Sequence, residues 1–264
     1  MKRGLLIIWF LNLLITQTSC VDYSNFSYDL DKPIRVLDLP SELREISGIQ
    51  MLKTGEIAAV QDEKGNLYFL DEIKGEITSE YDFGKKGDYE GICIHQGVFY
   101  VLESNGTIHK VEKEKKTKTY KFEKNDGFDF EGICLDIVNN RLLVVCKDHG
   151  KKKKNDDFFI YSFSLDKNEY EKKEVVKLSK KLIHKNFGAS GIAIHPNGDL
   201  YILSSRSKTL LVLSENGEIK NITSLNSFVF RQPEGITFNK KAELYISNEE
   251  NNGPPTILVF VEKQ

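Results

Sequence analysis

One tripeptide returns along the chain: Ser47-Gly48-Ile49, Glu90-Gly91-Ile92, Glu131-Gly132-Ile133, Ser190-Gly191-Ile192 and Glu234-Gly235-Ile236. Its glycines stand 43, 41, 59 and 44 residues apart. A period of this length marks an array of small units, none of which can bury its apolar surface alone. The order inside each period is also constant. The motif opens one apolar run, and a turn and a second run follow, at residues 57–60, 99–102, 143–146, 200–203 and 244–246. Third runs come at 67–70, 107–111, 159–163, 210–213 and 257–261, and a more polar fourth, such as 119–122, closes the first four units. Four short antiparallel strands in about 43 residues is the arithmetic of a propeller blade. The spacing predicts an all-β propeller of five four-stranded blades. Six blades is the competing count, because residues 21–33 are unassigned.

Turn chemistry supports the strand reading. Lys64-Gly65-Asn66, Asn105-Gly106, Pro196-Asn197-Gly198 and Glu215-Asn216-Gly217 supply residues that tolerate positive φ. Sixteen Phe and eleven Tyr against two Met point the same way. The 59-residue interval holds the charged stretch 150–157, with four consecutive lysines, expected as a solvated hairpin tip. The fifth unit stops after three strands. Residues 34–39 (Ile-Arg-Val-Leu-Asp-Leu) are predicted to supply its missing strand and so remove an exposed sheet edge.

The first twenty residues read as a targeting segment. Lys2 and Arg3 precede an apolar run from 5 to 15, broken by Asn12, and then Gln17-Thr18-Ser19-Cys20. The run is too short to span a bilayer, which favours a cleaved signal. Small residues directly before Cys20 resemble the lipobox of bacterial lipoproteins. That predicts a signal peptide over 1–19, a lipidated Cys20 with a tether over 20–32, and a propeller domain over 33–264. A plain secretory signal is the alternative. The expected location is the cell envelope, with a lipid anchor in a membrane whose leaflet is open. Cys93, Cys134 and Cys146 then remain, an odd set inside apolar runs, expected as small buried hydrophobes. The formal net charge of −2 carries no electrostatic footprint for nucleic acid.

Strand direction locates a site. The first strand of a blade lines the central channel and the second runs back against it. The start of the first and the end of the second therefore share one face. At the starts stand Ser47, Glu90, Glu131, Ser190 and Glu234; at the ends stand Asp62, Ser104, Asp148, Ser205 and Glu249. Carboxylates gathered at a channel mouth repel one another unless they are protonated or neutralised by a cation. Oxygen ligands without His or Cys favour calcium or magnesium over zinc. A calcium ion is expected here, with Glu90, Glu131 and Glu234 leading and Asp62, Asp148 and Glu249 as direct or outer partners. Ser47, Glu103, Ser190, Ser205 and Arg206 are candidate ligand-binding residues. The competing account makes each motif residue a structural cap. Lys147 and Arg206 are alternatively ion-pair partners or contacts for an anionic ligand. The five His show no metal-motif spacing, and no nucleophile elbow or P-loop is present. No catalytic residue is assigned.

The stretch "VLDLPSELREISGIQ" from residue 36, followed by "DEKGNLYFLD", "GDYEGICI", "DFEGICLD" and "RQPEGITFNKKAELYISNE", resembles the SdiA-regulated family of bacterial propellers, related to NHL-repeat and TolB-like propellers. The resemblance implies a propeller, an envelope location and a calcium site, and brings no established reaction. The preferred expectation is an envelope lipoprotein that binds an unknown small molecule or protein partner at its channel face. A metal-dependent hydrolase of phosphoesters or lactones, and a purely structural scaffold, are the alternatives.

Overall fold

The computed structural model describes residues 26–112, 114–123, 127–149 and 156–263. The signal peptide, Cys20 and the lysine stretch 150–155 lie outside the described residues. Strand β1 (Arg35–Asp38) comes first. Blade 1 is β2 (Ile46–Met51), β3 (Ile57–Gln61), β4 (Asn66–Leu70) and β5 (Ile77–Asp82). Blade 2 is β6 (Tyr89–His95), β7 (Val98–Glu103), β8 (Ile108–Val111) and β9 (Lys118–Tyr120). Blade 3 holds β10 (Phe128–Asp136), β11 (Arg141–His149), β12 (Asp157–Ser164), β13 (Glu169–Tyr170) and β14 (Val176–Ser179). Blade 4 is β15 (Gly191–Ile194), β16 (Leu200–Ser204), β17 (Thr209–Leu213) and β18 (Ile219–Ser224). Blade 5 contributes β19 (Pro233–Phe238), β20 (Leu244–Asn248) and β21 (Thr256–Phe260). All pairings are antiparallel, and the result is the five-bladed propeller that the repeat predicts.

The fifth blade closes as expected. β1 pairs with β21, with Val36 opposite Leu258 and Leu37 opposite Ile257. The ring is thus clasped by a strand from near the start of the chain and strands from its end. Blade 3 departs from the simple plan. Its outer strand is split, with β13 pairing one end of β12 and β14 the other. Residues 171–175 bridge the two pieces, which accounts in part for the 59-residue interval.

The apolar core is divided among the blade interfaces. Five clusters of buried side chains alternate with the five sheets; one, for instance, joins Ile202 and Leu211 of blade 4 to Val145 and Ile160 of blade 3. A buried Leu, Ile or Phe is worth roughly 1.5–3 kcal/mol relative to exposure, so each blade is held chiefly by its two neighbours. Cys93, Cys134 and Cys146 are free and buried in these clusters, as their apolar settings imply.

Packing starts earlier than the domain boundary at 33. Tyr28 and Leu30 are buried in the cluster between blades 4 and 5. Tyr28 donates to the Ala242 carbonyl at 2.7 Å and its hydroxyl meets His195 Nε2 at 3.1 Å. His195 in turn is buried and stacks on Tyr201 at 5.4 Å. An aromatic at 28 needed a partner for its ring and its hydroxyl, and this pocket supplies both.

The repeated motif builds the channel wall. A register slip falls at the motif in blades 1, 2, 3 and 5. Such bulges re-aim side chains at the ends of strands. The motif glycines meet across the ring: a Cβ on Gly191 would lie 2.3 Å from the Glu234 carbonyl oxygen, and one on Gly235 would lie 2.5 Å from that of Ser47. Only an unsubstituted Cα allows the five inner strands to converge this closely.

Candidate functional site

The convergence closes the channel at the motif. Among the motif glycines and isoleucines the free space is only 10 Å³, no more than one water can fill. Below this waist lies a 200 Å³ chamber whose lining includes Ile49, Ile94, Ile133, Ile192 and Ile236. Above it the motif carboxyls gather at a mouth open to solvent. Glu131 is the deepest, and its side chain is 5% exposed.

The structure brings together most of the expected residues, in two groups. Glu90, Glu131 and Glu234 share the channel and act on one another electrostatically. Glu249 and Asp62 sit together between blades 5 and 1, beside Glu45. Lys147 reaches in from the end of β11 and makes an ion pair and hydrogen bond to Glu131. Burial alone would lower the ammonium's pKa, yet Glu131 and its acidic neighbours hold it above the ordinary lysine value.

Positive charge does not match negative charge at this mouth. Burial first, and then the charge of Glu131, pushes the Glu90 carboxyl far up. Glu234 is raised well above the carboxylate range for the same two reasons, although Ser205 hydrogen-bonds to it. Burial, then Glu45 and Asp62, pushes Glu249 up to about 8. Burial, then Glu45 and Glu63, pushes Asp62 up to about 6. Asp62 Oδ1 is buried with no hydrogen-bond partner.

Other expected residues are already engaged. Arg206 clasps Asp148 through two hydrogen bonds of 3.1 and 2.7 Å, one to each oxygen. Burial works against ionisation of Asp148, but this bidentate partner outweighs it and keeps the carboxyl low. Glu103 lies 3.5 Å from His109 and accepts a hydrogen bond from Asn105, both in its own blade. Ser190 is buried and donates to the Pro233 carbonyl at 2.8 Å, tying blade 4 to blade 5. Ser47 donates to the Glu45 carbonyl at 3.4 Å. These two serines serve the framework, which is the structural role weighed for the motif.

Two acids escaped the sequence reading. Asp88 and Asp129 add to the field on Glu90 and Glu131. Each stands two residues before a motif glutamate, at the bulge that re-aims the start of the inner strand. The signal was the repeat Asp-x-Glu-Gly, at 88–91 and 129–132.

Among the described residues, no three acidic, His or Cys side chains are gathered as ligands of one ion. Glu131, the central candidate, is ion-paired with Lys147.

Solved structures with this fold serve several purposes. The chain is similar to glutaminyl cyclase of Myxococcus xanthus at 12% identity and TM-score 0.63, covering 88% of this chain and 96% of that one. It is similar to the aldose sugar dehydrogenase of Streptomyces coelicolor, solved with PQQ, at 11% identity and TM-score 0.59, covering 88% and 98%. A chain of the nidogen/laminin complex matches at 14% identity and TM-score 0.54, covering 77% and 72%. At such identities the likeness shows the fold alone, one that accommodates both enzymes and binding proteins. No curated protein matches the sequence. The family model of the SdiA-regulated proteins, however, matches residues 23–252, from just before the packed Tyr28 to the loop before β21, and the chain belongs to that family.

Proposed function

We propose that the protein is a binding propeller whose channel mouth recognises a positively charged group on a small molecule or protein partner. The observation that carries this reading is the surplus of acid. Glu90 and Glu234 in the channel, with Glu249 and Asp62 beside it, share one closed-bottomed face, while Lys147 and Arg206 are committed to Glu131 and Asp148 and Lys208, near Glu234, donates to the Arg231 carbonyl. Carboxyls held protonated by burial and mutual repulsion gain most when a cation arrives. An ammonium or guanidinium group offers several donors to such a cluster. Exposed Phe228 and Leu182, on connections at the same face, offer apolar contact beside it.

A cation that binds here must displace protons. Affinity therefore rises with pH as Asp62 titrates near 6 and Glu249 near 8. The test is thermal unfolding of the chain from residue 21 with spermidine, with an arginine-rich peptide, with calcium and with chelator. A ligand held only by the folded state raises the melting temperature by an amount that grows with the logarithm of its concentration relative to its Kd. Stabilisation by the organic cations, growing from about pH 6 to 8 and lost in Glu90→Gln/Glu234→Gln, is expected. Stabilisation by calcium alone would return the site to the metal reading. Turnover of an ester and phosphoester panel, abolished by the same substitutions, would replace binding with catalysis.

A further inference from the structure

We propose that the face opposite the carboxylate mouth lies against a lipid bilayer, so that the mouth opens away from the membrane. The proposal rests on the reading of Cys20 as a lipid anchor, and adds to it a direction.

The direction comes from where the chain leaves the propeller. Ser27 accepts a hydrogen bond from the Lys263 amide at 2.7 Å, and Tyr28 forms an isolated bridge with Glu262. Tyr28 then caps the turns after the inner strands of blades 4 and 5, through His195 and Ala242. These turns lie at the far ends of the strands that begin at the motif. The departing chain is therefore on the base face, beside the end of β21 and between blades 4 and 5, with the waist between that face and the mouth.

Five residues lie between Cys20 and Phe26, so six residue steps connect them. Fully extended, they reach about 20 Å. A path from there over the rim crosses about two strand spacings of about 4.8 Å, and then climbs the outer strand of the blade for five or so residues at about 3.3 Å each. That path is roughly 26 Å, longer than the chain available. An anchor at Cys20 cannot let the mouth face the membrane.

The base face is also shaped for the contact. Ile137 and Val138 form the tip of the turn between β10 and β11, with exposures of 69% and 88%. Ile73, at the tip between β4 and β5, is 66% exposed. Both turns belong to the base by strand direction. Neighbouring tips mix Lys53, Lys240 and Lys241 with Glu56 and Glu215, so the apolar side chains, more than net charge, would meet the lipid.

The sequence supplies its own reporter background. Trp9 is the single tryptophan and lies in the segment read as removed signal. Val138→Trp on the base and Phe228→Trp on the mouth face, where Phe228 is 92% exposed, place one fluorophore each at a solvent-facing site. The lipidated mature variants, which begin at Cys20 and are matched in melting temperature, are mixed with phosphatidylcholine vesicles carrying brominated acyl chains and floated. Flotation with several-fold stronger quenching at Val138→Trp than at Phe228→Trp is the expected result. Flotation with equal, absent or reversed quenching overturns the orientation while leaving the anchor intact. Failure of the lipidated protein to float overturns the anchor reading, and the orientation with it.

Discussion

Glu249 shows most clearly how a single carboxyl at the mouth couples to stability. Its folded pKa of about 8 compares with 4.5 for the free group. Between those values the folded chain keeps a proton that the unfolded chain has released, so rising pH favours unfolding. The stability linked to this group is complete below 4.5 and has been lost once pH passes about 8. Asp62 adds the same sign between 3.8 and about 6. The melting temperature is expected to fall steadily from about pH 5 to 8, and Glu249→Gln to flatten the upper part of that slope. A flat or rising curve for the unmodified protein would show that the carboxyls are neutralised in some other way. Gly191 tests the wall below them. An added methyl would press on the Glu234 carbonyl, which is backbone and part of a closed ring. Gly191→Ala is therefore expected to cost at least about 1–3 kcal/mol, measured by denaturant unfolding.

Among the elements, β1 bears the greatest topological weight. It buries Leu37 against Ile257 and Val259 while covering the edge of β21. Leu37→Ala is expected to lose about 2–5 kcal/mol, as for other buried leucines. Removing residues 26–39 should do more, because the apolar strand Thr256–Phe260 would then present a bare edge that pairs with other molecules. Light scattering would reveal such association, and a monomeric, fully stable truncation would contradict the role of the clasp. This strand was legible in the sequence because a three-stranded last unit and a spare apolar run fit together by counting. So were the blades, whose motif and turns repeat. The split of β13 and β14 was not, since both pieces look like ordinary strand ends and differ only in what β12 has to offer. The site was legible to the same extent. Strand direction placed Glu90, Glu131 and Glu234 on one mouth, because strand ends follow from periodicity. That Lys147 pairs with Glu131, and that Ser190 turns to Pro233, depends on contacts between side chains of different strands or blades, which no spacing encodes.

At the scale of the whole molecule, the question is whether five nearly separate cores behave as one. A linear repeat array can unfold piecemeal, since each unit touches only its neighbours and the ends are free. Here the ends are joined: the cluster between blades 5 and 1 contains Leu37 from the first strand, Leu39 just after it, and Ile257 and Val259 from the last. Losing any blade opens the ring and strips a neighbour on each side, so partial unfolding forfeits two interfaces at once. The waist adds to this, because each motif glycine is packed on the backbone of the next blade and all five must be in place for the inner strands to meet. The ring should therefore unfold as one unit. Leu102→Ala, between blades 2 and 3, and Leu210→Ala, between blades 4 and 5, each remove a fully buried side chain. Each is expected to cost about 2–5 kcal/mol and to lower a single melting transition. Calorimetry decides the point, since agreement of the calorimetric and van't Hoff enthalpies in both variants marks a two-state ring. A second transition in either variant, with the distant blades melting at their original temperature, would mean that the clasp joins the ends without coupling the blades.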